Sequence, residues 1–152
     1  MGKVRRYLNV RVTYVLGVSV SFDQEEYVGD MLRRYAECWN IFGTKPKKTP
    51  LPPDAQETMH SDYEPEKDSE EYGWWKSFPY RSFIGSLLYL SLNTRPDIAF
   101  AVGLLARLCV APTYGACYCA AFLMSYLSGT AGEFILFSNP MHADWHAFVD
   151  AD

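Results

Sequence analysis

Cysteine and histidine are the side chains of this chain that could bind a transition metal, and their spacing argues against it. The cysteines are Cys38, Cys109, Cys117 and Cys119, and none of them forms a C-x-x-C pair. A zinc site needs converging ligands, which usually show paired spacings in the sequence. No histidine lies close to the C-x-C pair, so we interpret the cysteines as buried free thiols. The histidines, which also lack ligand spacing, are His60, His142 and His146.

The charge of the chain argues against a free-standing nucleic-acid-binding protein. Its 152 residues carry a formal net charge of −4 at pH 7. Affinity for nucleic acids depends largely on Lys and Arg side chains that neutralise phosphates. Acidic residues are concentrated between Asp54 and Glu71, a stretch that contains Pro65 and follows the prolines at 50, 52 and 53. We therefore predict a solvated, flexible acidic linker over residues 54–77.

The hydrophobic pattern predicts an α+β protein that is mostly helical and has a packed core. Alternating residues from Leu8 to Phe22 predict a strand or a hairpin, which Gly17 interrupts. Asp23 is the predicted N-cap of a helix that ends near Asn40. Further helices are expected at 80–92, 96–110 and 114–127, with a C-terminal cap at 129 and strands at 133–137 and 147–150.

The most specific pattern is the stretch FPYRSFIGSLLYLSLNTRPDIAFAVGLLAR, which runs from Phe78 to Arg107. It predicts two apolar helices, separated just before Pro96. Proline fits the first turn of the second helix, and the adjacent Asp97 faces the positive end of that helix. Any helical hairpin could satisfy these rules with other residues. The order of residues is therefore more specific than the local fold requires.

This stretch resembles a segment of the reverse transcriptases in copia-type retrotransposon polyproteins. The matching residues are Pro79-Tyr80-Arg81, Gly85 to Leu90 and Thr94 to Ala99. Shorter matches occur in the family order along nearly the whole chain, namely Leu16-Gly17-Val18, Gln24 to Tyr27, Met31 to Tyr35, Thr49 to Pro52, Tyr126 to Thr130 and Asp150 to Asp152. Several short matches in one order are more informative than any single motif.

The resemblance implies a division into domains. Residues 1–53 would be the end of the palm and the first thumb helix, with a short palm-type strand or hairpin. Residues 54–77 would be the acidic linker, and residues 78–131 would form thumb-like and connection-like helices. Residues 132–152 would be the first strands of a truncated ribonuclease H-like domain, beginning its sheet with a C-terminal β-hairpin.

The resemblance also implies which residues once bound metal. Asp150 corresponds to a Mg²⁺ ligand of ribonuclease H, but the remaining carboxylates of that site do not follow it in this sequence. The Tyr-x-Asp-Asp hairpin of the polymerase would precede the segment. Nucleotide transfer needs several carboxylates that hold two metal ions. We therefore expect no complete catalytic site and no cofactor in this chain, whereas the intact family enzyme requires Mg²⁺.

Two arginines are the candidates for contact with nucleic acid, Arg81 and Arg95. A structural role is the preferred alternative, because an arginine beside Asp97 at a helix start usually forms a local ion pair. The segment Tyr27-Val28-Gly29-Asp30 is similar to a damaged polymerase hairpin. Because it falls inside a predicted helix, we expect Tyr27 to pack and Asp30 to be solvated.

The resulting expectation is a fragment or degenerate copy of a reverse transcriptase with ribonuclease H, inactive on its own. The partner of the intact family is an RNA or DNA template-primer, and weak or no binding is expected for this chain. The alternatives are a non-catalytic nucleic-acid-binding module and a helical interaction protein. The latter would self-associate through orphaned apolar surface.

The sequence also bears on location. No secretory leader is recognised near the start, and the apolar segments are shorter than the roughly 20 residues that cross a bilayer. Charged residues such as Arg95, Asp97 and Arg107 interrupt them. We expect an intracellular protein, cytoplasmic or nuclear, that is neither secreted nor transmembrane and has no membrane partner.

Overall fold

A computed structural model describes residues 5–39 and 45–138. The strands are β1 (Arg6–Tyr7), β2 (Val10–Val15), β3 (Ser19–Asp23) and β4 (Phe134–Ser138). The helices are α1 (Glu25–Arg34), α2 (Ala36–Trp39), α3 (Ala55–Met59), α4 (Glu70–Ser77), α5 (Tyr80–Asn93), α6 (Ala99–Ala106) and α7 (Tyr114–Gly129), with a 3-10 turn at Pro96–Ile98. The predicted α+β class with mostly helical content is confirmed.

The core lies between α5, α6 and α7. Leu87 of α5, Leu105 of α6 and Leu123 of α7 are all fully buried in one cluster. Burying a leucine side chain stabilises a fold by about 1.5–3 kcal/mol, so these contacts dominate the stability of the helices. Small residues of α7, such as Ala116 and Ala120, let the neighbouring elements approach closely. We refer to α5, α6 and α7 as the helical body.

The segment that leads from residue 45 into α3 crosses over α7. The backbone N–H of Lys47 donates to the carbonyl of Ser125 at 3.3 Å, and the Ser125 hydroxyl donates to the carbonyl of Lys45 at 3.1 Å. The prolines that follow have no N–H to donate, and they favour an extended path. The crossing segment therefore covers part of the helical body as an extended chain.

Two glycines of α7 allow neighbouring segments to approach this helix closely. A Cβ atom on Gly115 would lie 1.8 Å from the carbonyl oxygen of Thr58. A Cβ atom on Gly129 would lie 2.5 Å from the Cβ of Pro46. Neither distance is compatible with a side chain, so Gly129 lets the crossing segment lie against α7 and Gly115 lets α3 do so.

The predicted acidic linker is more ordered than expected, because it contains α3 and α4. Met59 and Trp75 are buried against the helical body, and the Trp75 indole N–H donates to the carbonyl of Pro112 at 3.1 Å. Ser69 caps α4 by accepting from the backbone N–H of Tyr72 at 3.1 Å. The prediction of a flexible linker was wrong, because a few buried apolar side chains outweigh the solvated acidic majority.

Two predicted helices are shorter in the structure. The first ends at Arg34 and is followed by α2, and its N-cap is Gln24 rather than Asp23. The Asp23 carboxylate still accepts from the Glu25 N–H at 3.3 Å. The helix expected to reach Val110 ends four residues earlier, where backbone bonds tighten to the i to i−3 pattern that is common at helix ends.

The sheet is antiparallel with the strand order β1-β2-β3-β4. The predicted N-terminal hairpin is confirmed, and Gly17 occupies its turn with φ +71°, where glycine is favoured. We expected the C-terminal strand to begin a separate sheet. Instead β4 pairs with β3, with Ile135 opposite Phe22 and Phe137 opposite Val20. The free backbone groups on the outer edge of β3 provide this pairing site.

The sheet leaves many large apolar side chains open to solvent. Leu16 is 83% exposed, and bulky residues of β4 are also more than half exposed. We call the following set the exposed sheet residues: Tyr14, Val15, Leu16, Val18, Phe134, Leu136 and Phe137. Large apolar side chains left open to solvent in this way often mark an interaction site. The predicted strand at 147–150 lies outside the described residues.

The cysteines are free thiols, as predicted. Cys117 and Cys119 lie on α7 in the helical body, where burial raises the pKa of each thiol to about 12. Cys38 and Cys109 are half-buried. The two thiols of α7 are therefore neutral and unreactive near pH 7.

Within the two described ranges, no helix combines the length and the apolar composition needed to cross a bilayer.

Candidate functional site

The side chain of Arg95 is buried at the centre of a polar network that reaches the surface at Asp97. Only 2% of the Arg95 side chain is exposed. Its Nε and Nη2 donate to the two carboxylate oxygens of Asp97 at 2.9 and 2.8 Å. Its Nη1 and Nη2 donate to the carbonyl and hydroxyl oxygens of Thr130, both at 2.8 Å. Each of the three guanidinium nitrogens therefore has a protein acceptor, and the pairing with Asp97 is bidentate.

Local sequence explains this arrangement. Pro96 starts the 3-10 turn directly after Arg95 and brings Asp97 back toward the guanidinium group. Tyr126, on the last turns of α7, donates its hydroxyl to Asp97 Oδ2 at 2.9 Å. Thr130 donates to the carbonyl of Tyr126 at 3.0 Å, just past the helix end. The turn between α5 and α6 is thereby fixed to the C-terminal end of α7.

Electrostatics favour the ionised pair. Burial alone would raise the pKa of Asp97, but the hydrogen bonds from Arg95 and Tyr126 outweigh burial and hold that pKa below its usual value. The pKa of Tyr126 is raised, first by burial and then by its bond to Asp97. A buried ion pair costs desolvation energy, yet removal of one partner leaves an uncompensated charge. The network therefore fixes the geometry of this turn.

Gln24 extends the network to the N-terminal part of the chain. Its side-chain oxygen accepts a hydrogen bond from the Thr94 hydroxyl at 2.9 Å, and both groups are buried. Its Nε2 is the buried side-chain atom without a partner in the described part of the chain. Three separate sequence matches to the copia-type family, at Gln24, Thr94–Asp97 and Tyr126–Thr130, thus meet in space.

Sequence reasoning missed this convergence. It named Arg95 and its pairing with Asp97, but it did not connect them to Gln24 or Thr130. The available signal was that all four residues fall within the short family matches, which are far apart along the chain. These residues match the family although the local fold does not require them. Such matches, distant in the sequence, can indicate residues that contact one another in the fold.

Arg81 has a different environment. It lies in the first turn of α5 and is exposed, and its Nε donates to the carbonyl of Cys109 at 3.0 Å. Arg95 follows the other end of the same helix, about 20 Å away at 1.5 Å per residue. The structure does not bring the two arginines together. Nucleic-acid contact by Arg81 and Arg95 stays a prediction, although the buried pairing of Arg95 favours the structural alternative.

The candidate metal ligand Asp150 lies outside the described residues. Within residues 5–39 and 45–138, no group of three or more His, Cys, Asp or Glu side chains could hold a metal ion. The side chains of this part of the chain therefore do not fit a Mg²⁺ pair. Asp30 is exposed and pairs with Arg33, as expected for a solvated residue. Tyr27 packs edge-to-face on Tyr89, as predicted.

The aromatic cluster before α5 fastens α4 to the helical body. The Trp74 indole N–H donates to the carbonyl of Cys38 at 3.1 Å, and Trp74 packs edge-to-face on Phe78. The Tyr80 hydroxyl donates to the carbonyl of Leu105 at 2.9 Å in the interior. These aromatic residues therefore anchor the acidic segment to the rest of the fold.

Comparison with known proteins identifies the class. The chain is related to the Pol polyproteins of retrotransposons over most of its length. It is 34% identical over 131 residues, 85% of the chain, to the retrovirus-related Pol polyprotein from transposon TNT 1-94 of Nicotiana tabacum. It is 30% identical over 146 residues, 91% of the chain, to those from transposons RE1 and RE2 of Arabidopsis thaliana.

These relatives confirm the predicted resemblance to a copia-type retrotransposon polyprotein. The chain spans only 9% of the length of each of these three polyproteins. No family model matches the chain, and no solved structure matches it.

Proposed function

We propose that this chain corresponds to the thumb and connection segment of a copia-type reverse transcriptase, leading into its ribonuclease H domain. In this role it is a non-catalytic scaffold for RNA-directed DNA synthesis. The observation that carries the proposal is the Arg95 network. It joins three segments that the resemblance assigns to the first thumb helix, the helical hairpin and the end of the last helix.

The proposal includes no catalysis by the chain alone. Transfer of a nucleotide and hydrolysis of an RNA strand both need several carboxylates around two metal ions. The described part of the chain offers no such group, and a single inherited ligand at Asp150 is insufficient. Template-primer and Mg²⁺ are accordingly requirements of the intact enzyme. A chain with a net charge of −4 binds nucleic acid weakly or not at all.

A chimera tests the scaffold role. The corresponding segment of the Pol polyprotein from transposon RE1 would be replaced by this chain, and synthesis of DNA on an RNA template would be measured. We expect a chimera that retains DNA synthesis and loses it with Asp97→Asn, because that change disrupts the Arg95 network. The control is Asp30→Asn, which removes an exposed carboxylate. A chimera that is folded but inactive before any substitution would contradict the proposal.

A second experiment tests the isolated chain. Primer extension with Mg²⁺ or Mn²⁺ and cleavage of an RNA·DNA hybrid should both give no product. Binding of a primer-template duplex should be weak and should fall further as salt rises. Arg81→Gln should reduce any residual binding more than Lys48→Gln, which removes another exposed cation. Nucleotide incorporation by the purified chain would contradict the absence of catalysis.

The exposed sheet residues favour a second function, that of a protein-interaction module that associates with itself. Bulky side chains such as Leu16 and Phe137 lie on a sheet whose surface the helical body leaves open. Burial of such surface between two copies would stabilise a dimer. Sedimentation equilibrium distinguishes the two functions, since a monomer at high micromolar concentration would eliminate this alternative.

A further inference from the structure

A groove far from the Arg95 network lies between α4, the segment before it and the loop that precedes α7. It has a volume of about 520 Å³. Its walls include the side chains of Tyr63, Trp75, Phe78 and Tyr114. Neither the scaffold role nor the exposed sheet residues involve this groove. Ligand binding in this groove would therefore be independent of the proposed function.

The aromatic walls are held in a defined arrangement. Tyr63 and Tyr114 pack edge-to-face with ring centroids 5.5 Å apart, and Trp75 meets Tyr114 at 6.5 Å and 89°. The indole of Trp75 is fixed by its hydrogen bond to Pro112. Trp75 therefore has little side-chain freedom to lose when a ligand enters, which favours binding.

The rim of the groove is negatively charged. Asp62 and Glu64 line it and are exposed. The Tyr63 hydroxyl donates to Glu71 at 3.5 Å. Burial and then the negative charge of Glu71 raise the pKa of Tyr114, so the field of this carboxylate reaches the groove wall. A groove of this charge repels phosphates and attracts cations.

A cation of the chain already uses these aromatic faces. Lys76 Nζ lies 3.4 Å from the ring centroid of Trp75 and 5.2 Å from that of Tyr72. Lys76 is exposed and is the single cationic side chain among the residues that line the groove. It shows that an aromatic wall of the groove accepts positive charge, and it competes with any external cation.

We propose that this groove binds an arginine side chain of a basic partner polypeptide. The guanidinium group stacks between the aromatic walls, displaces Lys76 from Trp75 and pairs with Asp62 or Glu64. Arginine suits the site better than lysine, because its planar group both stacks on aromatic rings and pairs with carboxylates through two hydrogen bonds. Charge complementarity identifies the partner as a basic protein segment rather than a nucleic acid.

Nuclear magnetic resonance of the whole chain provides the test. The probe is the peptide acetyl-Gly-Arg-Gly-Arg-Gly-amide, and the signal is the indole N–H of Trp75. We expect a saturable shift of this signal that weakens with salt, while the indole N–H of Trp39, bonded to Leu32 on another element, stays unchanged. The same peptide with glutamine in place of arginine should produce no shift. Equal shifts with both peptides, or none at millimolar arginine peptide, would overturn the proposal.

Substitutions at exposed positions separate binding from folding. Glu64→Gln and Tyr63→Ala should each weaken peptide binding about two- to five-fold, as expected for one exposed ion pair or cation–π contact. Lys76→Met should strengthen binding by a similar factor, because it removes the competing cation. Lys48→Met removes a surface charge elsewhere and should leave the affinity unchanged. If Lys76→Met weakens binding, the lysine does not compete for the groove and the proposal fails.

Discussion

The helical body and the sheet differ in the exposure of their apolar side chains. The inner faces of α5, α6 and α7 are completely shielded from water, so each helix covers the others. In the sheet, most bulky residues of β4 and of the β2–β3 turn remain exposed. Because burial of apolar area dominates stability, the helices hold the fold together, whereas the sheet adds less to it.

The polar contacts show the same contrast. The Arg95 guanidinium lies in the interior, where all three of its nitrogens have acceptors, while its partner Asp97 is 39% exposed at the surface. The ion pairs of the sheet and of α1, such as Arg6 with Glu26, are exposed to solvent. Exposed pairs contribute little, whereas an interior pair is costly to break. The family matches at Gln24, Thr94–Asp97 and Tyr126–Thr130 therefore lie in the part of the chain that defines its geometry, whereas the match at Leu16-Gly17-Val18 lies in the exposed turn.

The largest effect is expected from Asp97→Asn. This change leaves the buried Arg95 charge without its ionised partner, which should lower the free energy of unfolding by about 3 kcal/mol, the lower end for a buried pair because Asp97 is 39% exposed. The matched control is Asp30→Asn, which removes the exposed pair with Arg33 and should cost about 0–1 kcal/mol. Urea unfolding followed by tryptophan fluorescence measures both. Similar losses for the two variants would remove the contrast between interior and surface pairs.

Because of the Asp97 carboxylate, we also expect the stability of the fold to depend on pH in the acidic range. The pKa of Asp97 is lower in the folded chain than its unfolded value of about 3.9. Its stabilising contribution is therefore complete above about pH 4 and is lost as the pH falls through the lower folded pKa. Stability measured between about pH 5 and 2 should fall more steeply for the parent chain than for Asp97→Asn. Parallel curves would show that the pairing does not favour the ionised form.

Two leucines on α5 allow a direct comparison of how much a buried and an exposed side chain contribute to stability. Leu90 is 0% exposed and Leu92 is 80% exposed. Leu90→Ala should lower the free energy of unfolding by about 2–5 kcal/mol, because it leaves a cavity in the helical body. Leu92→Ala should change it by less than about 0.5 kcal/mol. Thermal or urea unfolding of the pair gives the answer, and a large loss for Leu92→Ala would reveal unrecognised packing at this position.

A smaller effect is expected from Gly115→Ala. The added methyl group would overlap the carbonyl oxygen of Thr58, so we expect a loss of about 1–3 kcal/mol as α3 shifts. Gly85→Ala provides the control, because no atom lies within 4 Å of its Cβ position and alanine is the better helix former. That variant should gain about 0.5–1 kcal/mol. Equal responses of the two glycines in unfolding experiments would contradict the close approach of α3 to α7.

The smallest change in stability is expected in the sheet. Leu16→Thr alters an exposed turn residue and should change the free energy of unfolding by less than about 0.5 kcal/mol. If the exposed sheet residues mediate self-association, this variant should shift the sedimentation profile toward monomer. Asp30→Asn should leave the profile unchanged. An unaltered profile for Leu16→Thr would exclude this part of the sheet from the contact.

Much of the helical body could be predicted from the sequence. The apolar periodicity of α5 and α7 and the proline after Arg95 give their positions to within a few residues. The hairpin was predictable because Gly17 interrupts an alternating run. These signals are local, since each depends on residues that are close together in the sequence.

The remaining features depend on contacts between distant residues. Nothing near Met59 indicates that it is buried, because an acidic, proline-containing context resembles a solvated linker. The pairing of β4 with β3 likewise depends on a free strand edge that only the assembled sheet presents. Within the candidate site, the Arg95–Asp97 pair was predictable from adjacency, whereas the contacts with Gln24 and Thr130 required the fold.

The pairing of β3 with β4 also has a consequence for the order of folding. These strands come from opposite parts of the polypeptide, and the loop between them contains all the helices that the structure describes. Closing so long a loop costs conformational entropy, and the contact between the two strands does not offset that cost early in folding. Helices, in contrast, form through local contacts. The helices must therefore collapse first and carry the two strands together. During synthesis on the ribosome, the sheet would be completed only after the final strand has emerged.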